Sequence, residues 1–259
     1  MAIHSSAYID KSSEIADSAE IAAGAYIGKN CKIGENVVIG YNAVVESNTE
    51  IGDGTILSPN AHVGGAPQDV SYRGEDTKLV IGKNCIIREF APIHRATTKE
   101  DEWVTVIGDE CYIMSLSHVG HDCKLGKGVI LVGSGMIAGH VEVGDYAVIG
   151  GHVGIHQFAR IGTMAMVGAF AQVSRDILPY CTCGRLEGGN ITGLNLVGLK
   201  RRGMKPEIRV ELKKALKIFL DKSMLVEDAV IKMKELIQYP EIETMINFIE
   251  TTKRGVARK

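Results

Sequence analysis

The sequence of 259 residues contains few large side chains and few prolines. Aromatic residues make up 5% of the chain and include one tryptophan, so aromatic side chains cannot fill the interior. The chain has six prolines. No stretch approaches the ~18 uninterrupted apolar residues that a membrane-spanning helix needs. Apolar residues still make up 45% of the chain, which excludes disorder. The sequence therefore predicts a folded protein without an integral membrane segment.

No basic flank followed by an apolar run opens the chain, so no export signal is expected. The six cysteines then need not pair, as is usual in the reducing cytoplasm, and we expect a cytoplasmic protein. Residues 196–259 carry fifteen Lys/Arg and nine Asp/Glu, against fourteen and twenty-two in residues 1–195. A basic tail suits an acidic macromolecular partner. Because no basic helix with interleaved aromatic residues is visible, no nucleic acid is expected.

An aliphatic residue recurs every six positions through most of the chain. Twenty-five hexads open with Ile, Val or Leu, in runs that begin at Ile3, Ile81 and Ile107. The fifth position holds a small residue except at Ile177. The second position is often glycine, and we expect the reason to be the backbone freedom that glycine gives to a turn. This period suits short parallel strands joined by turns. Three hexads make an 18-residue coil, so the sequence predicts a mainly β fold, a parallel β-helix of about eight coils.

The pattern divides the chain into two regions. We expect a β-helix domain over residues 1–190 and a C-terminal α-helical subdomain over residues 191–259, where apolar spacing becomes helical after Pro206. Two interruptions, residues 63–80 and 99–106, are expected to leave the β-helix as loops. Flat faces and open ends predict a homo-oligomer. Four cysteines fall at the small fifth position and are expected in the core: Cys31, Cys85, Cys111 and Cys123.

Histidines are concentrated in one part of the repeat. With coils of 18 residues, His121 shares a column with Gly139 and Gln157, and three other histidines lie close to it: His118, His140 and His156. The third hexad position lies near a turn, so the imidazole of His121 is expected outside the core, free to accept a proton near neutral pH. Asp122 can orient this ring, and the N–H of Gly139 can face an oxyanion.

Other interpretations of these residues stay open. Histidines at turns are often merely solvated, and a purely structural solenoid would need no histidine column. Clustered histidines also suit zinc, as in a zinc lyase of the carbonic anhydrase type, although no ligand pair has a typical spacing within one chain. We therefore expect no metal and no cofactor. Lys200, Arg201 and Arg202 form a basic cluster that is either solvated or suited to phosphate.

An ordered set of motifs follows the hexad frame: Pro67-Gln68-Asp69, Ile93-His94-Arg95, Ser117-His118-Val119-Gly120-His121-Asp122-Cys123, Ala138-Gly139-His140-Val141, Ile155-His156-Gln157-Phe158 and Leu199-Lys200-Arg201-Arg202-Gly203. With the helical tail, this set resembles the acyl-(acyl-carrier-protein)–UDP-N-acetylglucosamine O-acyltransferases of lipid A synthesis. The resemblance implies a left-handed β-helix and a homotrimer with active sites between subunits. It also implies transfer of a 3-hydroxyacyl chain from an acyl-carrier-protein thioester to the sugar 3-position.

The resemblance also implies roles for individual residues. His121 would be the general base for the sugar 3-hydroxyl, supported by Asp122, with the backbone of Gly139 as oxyanion donor. The sugar nucleotide and the cleft would be contacted by Gln68, Asp69, His118, His140, His156 and Gln157. Arg201 and Arg202 would approach the diphosphate or the carrier protein, and the basic tail would dock the acidic carrier.

The chain departs from the family pattern at three places. Ser71 stands where some members have lysine, which puts part of a phosphate contact in doubt. Ala169 replaces a glycine that helps to set acyl-chain length, and the segment around Gly188 differs from the usual pattern, so we expect both to affect chain length. The acceptor is also open, because some relatives prefer a 3-amino sugar nucleotide and form an amide.

Overall fold

The computed structural model describes residues 2–100, 102–184, 189–236 and 238–258. Within these residues the chain forms 28 strands and four helices. The strands belong to three sheets of 11, 9 and 8 members, which we name sheets A, B and C. Successive strands along the chain alternate among the sheets, so each sheet forms one face of a triangular coil. This is the predicted parallel β-helix, with about ten coils where about eight were expected.

The strand bounds follow the hexads closely. Sheet A contains Ala2–Ile3, Glu20–Ile21, Val38–Ile39, Ile56–Leu57, Ile86–Ile87, Tyr112–Ile113, Ile130–Leu131, Val148–Ile149, Met166–Val167, Cys181–Cys183 and Ile191–Leu194. Sheet B contains Tyr8–Ile9, Tyr26–Ile27, Val44–Val45, His62–Gly65, Pro92–His94, His118–Val119, Met136–Ile137, Gly154–Ile155 and Gln172–Val173. Sheet C contains Glu14–Ile15, Lys32–Ile33, Thr49–Ile51, Lys78–Ile81, Val104–Ile107, Lys124–Leu125, Glu142–Val143 and Arg160–Ile161.

The 18-residue register is confirmed wherever the hexads are continuous. His118 pairs with Met136, for example, and all strands pair in parallel except the last pair in sheet A. The offset grows to 30 between Ile56 and Ile86, where residues 66–77 leave the β-helix, and the described part of residues 95–103 forms a second excursion. The ends of the predicted loops, residues 63–65, 78–80 and 104–106, are strand instead.

Aliphatic side chains fill the β-helix in columns. From Ile21 to Val173, the residues that open the hexads are buried, whereas Ile3 at the open N-terminal end is 39% exposed. All six cysteines are buried and unpaired, which confirms the expectation for the four at the fifth position. Burial raises the pKa of Cys123 to about 12, so this thiol stays protonated at neutral pH.

The glycines at the second hexad position are present for a different reason from the one predicted. None of them has a positive φ; the left-handed residues lie instead at the fourth position, where Asn42 has φ 54°. A Cβ on Gly28 would lie 2.8 Å from the backbone nitrogen of Ser47 on the next coil. Glycine is therefore required at the second position because the backbone of the neighbouring coil approaches too closely for a side chain.

Four helices follow the β-helix: α1 (Leu196–Arg201), α2 (Pro206–Phe219), α3 (Val226–Lys234) and α4 (Pro240–Glu250). Pro206 and Pro240 each occupy the first position of a helix, where the missing N–H costs nothing. Helix α2 buries Leu212 and Leu216, in agreement with the helical spacing of apolar residues after Pro206. No helix in the described parts of the chain is long and apolar enough to cross a membrane.

A buried carboxylate ties the C-terminal segment to the end of the β-helix. Asp176 is 1% exposed and accepts hydrogen bonds from Arg160 Nε (3.0 Å) and Thr252 Oγ1 (2.7 Å). Arg160 also donates to the carbonyl oxygen of Phe248 in α4 (2.8 Å). The helical region is thus fixed to the last coils by polar contacts as well as by apolar packing.

Candidate active site

His121 lies at the corner between sheets B and C, outside the aliphatic core. Its side chain is 12% exposed, and its ring lies against Gly139 on the next coil, where an added Cβ would be 2.7 Å from Nε2. His140 N donates to the carbonyl oxygen of His121 (2.9 Å). The predicted stacking of His121 over Gly139 is therefore present, and any residue larger than glycine at 139 would displace the imidazole.

Asp122 follows at the left-handed corner position, with φ 58° and a side chain that is wholly buried. Its Oδ2 accepts hydrogen bonds from His121 Nδ1 (2.7 Å) and Thr97 Oγ1 (2.8 Å), and Oδ1 accepts one from Thr97 N (3.0 Å). Its own N–H donates to Thr105 Oγ1 (2.8 Å). Burial raises the pKa of the Asp122 carboxyl group, but the hydrogen bonds from His121 and Thr97 outweigh burial and hold that pKa below its usual value. An ionised Asp122 keeps the proton of the neutral imidazole on Nδ1, which leaves the lone pair on Nε2.

His140 covers the other side of this pair. Its ring meets the His121 ring edge to face at 5.1 Å and stacks on Phe158 at 4.4 Å. Its Nδ1 lies 3.0 Å from Glu100 Oε1, on the second excursion, and its Nε2 lies 3.6 Å from Asp122 Oδ2. The side chain is 6% exposed, so His140 is part of the wall of the site.

The two excursions meet beside this corner. Lys99 Nζ lies 2.5 Å from Asp69 Oδ2, and Ser71 donates to Asp69 Oδ1 through both its N–H and its hydroxyl group. The hydrogen bond from Lys99 holds the pKa of Asp69 well below its usual range. His94 Nδ1 lies 2.8 Å from the carbonyl oxygen of Ala66, which anchors the first excursion to the β-helix.

His118 and His156 line a shallow groove of about 590 Å³ on the outer face of sheet B, together with Met136 and Gly154. The ring of His118 lies 5.1 Å from that of His94. Burial lowers the pKa of both His94 and His118. In the described residues, the Nε2 atoms of these two histidines are buried without a hydrogen-bond partner.

The remaining predicted residues are dispersed. Gln68 and Gln157 are exposed, and the Gln157 carbonyl oxygen lies 3.0 Å from His156 Nδ1. Ala169 lies at the corner between sheets A and B, and its N would be 2.6 Å from a Cβ on Gly150. Gly188 lies outside the described residues.

Arg201 and Arg202 lie at a different corner from His121. The Arg202 guanidinium carbon is 3.8 Å from the centre of the Tyr146 ring, and both arginines line a pocket of about 360 Å³ between sheets C and A. Within one chain, therefore, the structure does not bring these arginines to His121.

Sequence reasoning missed four residues that contact the predicted site residues Asp69, Asp122 and His140. They are Thr97, Lys99, Glu100 and Thr105. Lys99, Glu100 and Thr105 lie in the predicted interruption, residues 99–106, to which the hexad frame assigns no position. Thr97 was visible only as one of many small residues at the fifth position, in the hexad that opens at Ile93.

The donor atoms of His121, Asp122 and His140 lie within 4.8 Å of one another. Residues of a single chain thus offer three ligand atoms to a metal ion. The same arrangement is that of a proton acceptor supported by a buried carboxylate. The geometry alone admits both chemistries.

Comparison with known proteins distinguishes these chemistries. Residues 176–257 match the family model "Udp N-acetylglucosamine O-acyltransferase; Domain 2", and residues 30–65 and 105–134 match "Bacterial transferase hexapeptide (six repeats)". A protein of Thermodesulfovibrio yellowstonii, named acyl-(acyl-carrier-protein)–UDP-N-acetylglucosamine O-acyltransferase, is 48% identical over 211 residues, which are 81% of each chain. A Burkholderia mallei protein of the same name is 38% identical over 206 residues, 76% of this chain and 77% of the other.

Solved structures of similar proteins have the same fold. The UDP-N-acetylglucosamine acyltransferase of Francisella novicida matches with a TM-score of 0.96 at 38% identity, over 99% of this chain and 94% of the other. That of Campylobacter jejuni matches with a TM-score of 0.92 at 40% identity, over 99% of each chain. The predicted left-handed β-helix is thereby confirmed, and these names favour acyl transfer over a zinc lyase. The chain belongs to the acyl-(acyl-carrier-protein)–UDP-N-acetylglucosamine O-acyltransferase family.

Proposed function

We propose that this chain transfers a 3-hydroxyacyl group from an acyl-carrier-protein thioester to the 3-hydroxyl of UDP-N-acetylglucosamine, the first step of lipid A synthesis. The observation that carries the proposal is the pair His121–Asp122 at an outer corner, with His121 Nδ1 2.7 Å from the buried carboxylate. This arrangement leaves Nε2 as the proton acceptor. The names of the similar proteins supply the substrates.

In this mechanism His121 Nε2 removes the proton of the sugar 3-hydroxyl while the oxygen attacks the thioester carbonyl carbon. The resulting tetrahedral oxyanion is stabilised by the Gly139 N–H, which has no hydrogen-bond partner in the described part of the chain. Collapse of the intermediate forms the ester and breaks the carbon–sulfur bond. The proton on Nε2 then passes to the leaving thiolate. Proton transfer of this kind contributes about 10²- to 10⁴-fold to the rate.

The sugar nucleotide would lie between the excursions and the groove on sheet B. The Asp69 carboxylate is ionised, because Lys99 holds its pKa low, and can accept hydrogen bonds from hydroxyl groups. Gln68 is exposed beside it. The other side of the site would be formed by His118, His140, His156 and Gln157.

The outer face of sheet A supports the proposed homotrimer. Its outward side chains from the third to the ninth strand are mostly apolar and only partly covered: Val38, Ile56, Ile86, Tyr112, Ile130, Val148 and Met166. Sheet C instead presents alternating charges such as Glu14, Lys32 and Glu50. A continuous apolar face is typical of a surface that is buried on association. A neighbouring subunit could then supply Arg201 and Arg202 to the cleft.

Helix α2 offers a docking surface for the carrier protein in this proposal. Lysines surround a groove of about 960 Å³ whose apolar residues include Leu220, Met224 and Leu236. These lysines are Lys213, Lys214, Lys217 and Lys232. An acidic carrier fits a basic rim with an apolar floor. The six buried, unpaired cysteines support a cytoplasmic location.

The test is mass spectrometry of the products formed from UDP-N-acetylglucosamine and from its 3-amino analogue, each offered with acyl-carrier-protein thioesters of several lengths. We expect an ester of the first sugar, with a preferred chain length that Ala169→Gly increases. Product from the amino sugar alone would show that the enzyme makes amides. No product from either sugar would overturn the proposed function.

His121→Ala tests the mechanism directly. We expect the turnover number to fall by about 10²- to 10⁴-fold, while UDP-N-acetylglucosamine binding by calorimetry and the oligomeric state by sedimentation stay unchanged. His4→Ala is the matched control, because His4 is an exposed turn histidine on the first coil. Retention of substantial activity by His121→Ala would exclude His121 as the base.

A further inference from the structure

We propose that Thr97 is a positioning residue that clamps the Asp122 carboxylate and thereby fixes which nitrogen of His121 carries the proton; its effect on catalysis rests on the function proposed above. Thr97 is 4% exposed; it holds the fifth position of the hexad that opens at Ile93, at the start of the second excursion. It is thus placed against the site by a segment that leaves the β-helix and returns to it.

The clamp engages both oxygens of the carboxylate. Thr97 N donates to Asp122 Oδ1 (3.0 Å), and Thr97 Oγ1 donates to Oδ2 (2.8 Å), the same oxygen that accepts from His121 Nδ1 (2.7 Å). A carboxylate held only by the imidazole could rotate about its last side-chain torsion, which has a broad energy minimum. Two donors from one residue fix the plane of the carboxylate, so the oxygen that faces Nδ1 cannot turn away.

The direction of the Thr97 hydroxyl proton follows from its two partners. Lys99 N–H lies 3.2 Å from Thr97 Oγ1 and can only donate, whereas the ionised Asp122 carboxylate can only accept. The hydroxyl group must therefore accept from Lys99 and donate to Asp122. This leaves Oδ2 with two donors on a carboxylate whose side chain is fully buried.

The consequence concerns the tautomer of His121. The tautomer of a neutral histidine is set by the hydrogen bond that each ring nitrogen makes. The clamped carboxylate selects the form with the proton on Nδ1 and the lone pair on Nε2, which is the form that can act as a base. Without the clamp, the form with the proton on Nε2 becomes populated, and that form cannot accept the proton of the sugar hydroxyl.

The test compares three variants by ¹⁵N NMR of histidine-labelled protein at pH 8.5, with the His121 signals assigned by their loss in His121→Asn. Thr97→Val removes the hydroxyl donor and keeps the shape, Thr97→Ser keeps the donor, and Thr98→Val is the control at an exposed neighbour. We expect the Nδ1–H form to dominate in the wild type, Thr97→Ser and Thr98→Val, and the Nε2–H form to increase clearly in Thr97→Val. An unchanged tautomer in Thr97→Val would overturn the proposal.

Turnover provides the second measurement. Loss of a hydrogen bond to a charged group corresponds to a fall in turnover number of about tenfold or more, which we expect for Thr97→Val and not for the other two variants. If Thr97→Val does not fold, as judged by circular dichroism, Thr97→Ala replaces it in both measurements. A wild type that is inactive on every substrate contradicts the proposed function, and the NMR result still decides the clamp. Equal turnover in Thr97→Val and the wild type contradicts the catalytic part of the inference.

Discussion

The left-handed corners of the β-helix are occupied by different residues in the two halves of the chain. Up to residue 84, every fourth-position residue that has a positive φ is asparagine or glycine. These residues are Gly24, Asn30, Asn36, Asn42, Asn48, Gly54, Asn60 and Asn84. From residue 90 onward, the residues with positive φ at this position are of many types. They are Phe90, Glu110, Leu116, Asp122, Gly128, Ser134, His140, Tyr146, His152, Phe158, Met164 and Phe170. Glycine visits this conformation readily, and asparagine and aspartate do so more easily than other residues, which pay about 1–2 kcal/mol each.

The two halves share one backbone, so the turn itself does not demand the residues of the second half. Strained backbone positions are retained where their side chains have a use. Asp122 and His140 are two corner residues with such a use, and they lie close to each other beside His121. Phe158 continues the column by stacking on His140. The first half is therefore optimised as scaffold, and the second half gives up part of its local stability to build the site and its surroundings.

The largest effect, on turnover, is expected when a corner residue of the second half is replaced by the asparagine that is typical of the first half. Asparagine suits the left-handed corner at 122, so Asp122→Asn should fold, but its amide group cannot hold the Nδ1 proton of His121 as a carboxylate does. We expect the turnover number to fall by about 10²- to 10⁴-fold. The midpoint of urea denaturation should stay close to that of the wild type. Asn84→Asp is the reciprocal control and should keep full activity. Equal losses in the two variants would show that corner charge acts on the fold and not on His121.

Removing an asparagine from a scaffold corner should have a moderate effect on stability alone. Asn42 has φ 54° and an exposed side chain, and alanine tolerates this conformation poorly. We expect Asn42→Ala to lower the free energy of unfolding by about 1 kcal/mol, measured by urea denaturation, with unchanged turnover. Asn42→Gly should lie close to the wild type. A loss in Asn42→Gly as large as that in Asn42→Ala would mean that side-chain contacts, and not backbone conformation, explain the asparagines.

The parts of the fold and site that repeat every 18 residues could be predicted from the sequence. The period alone placed His121 over Gly139, and it placed Cys31, Cys85, Cys111 and Cys123 in the core. The reason for the second-position glycines could not be obtained in this way, because it depends on how closely the next coil approaches.

Contacts made by the excursions were beyond the reach of the pattern. Thr97 is separated from Asp122 by 25 positions, because the second excursion lengthens the offset between coils from 18 to 26 residues, as in the pair Ile93–Val119. The positions of Arg201 and Arg202 beside Tyr146 depend on how α1 packs against the corner between sheets C and A. A helix that docks on a repeat carries no register in its sequence. For residues on repeating strands and turns, the sequence therefore predicts which residues are in contact. For residues on excursions and docked helices, it predicts only which residues are candidates for the site.

Placing asparagine at an exposed corner of the second half gives the smallest expected effect. Leu116 has φ 62° and is 59% exposed, so asparagine would relieve backbone strain at the cost of a limited apolar contact. We expect Leu116→Asn to raise the free energy of unfolding by about 0.5 kcal/mol, measured by urea denaturation of dilute protein. A clear loss of stability that grows with protein concentration would instead mean that Leu116 is buried against another subunit. The strain at this corner would then be retained for assembly, and the second half would owe its corner residues to subunit contacts as well as to the site.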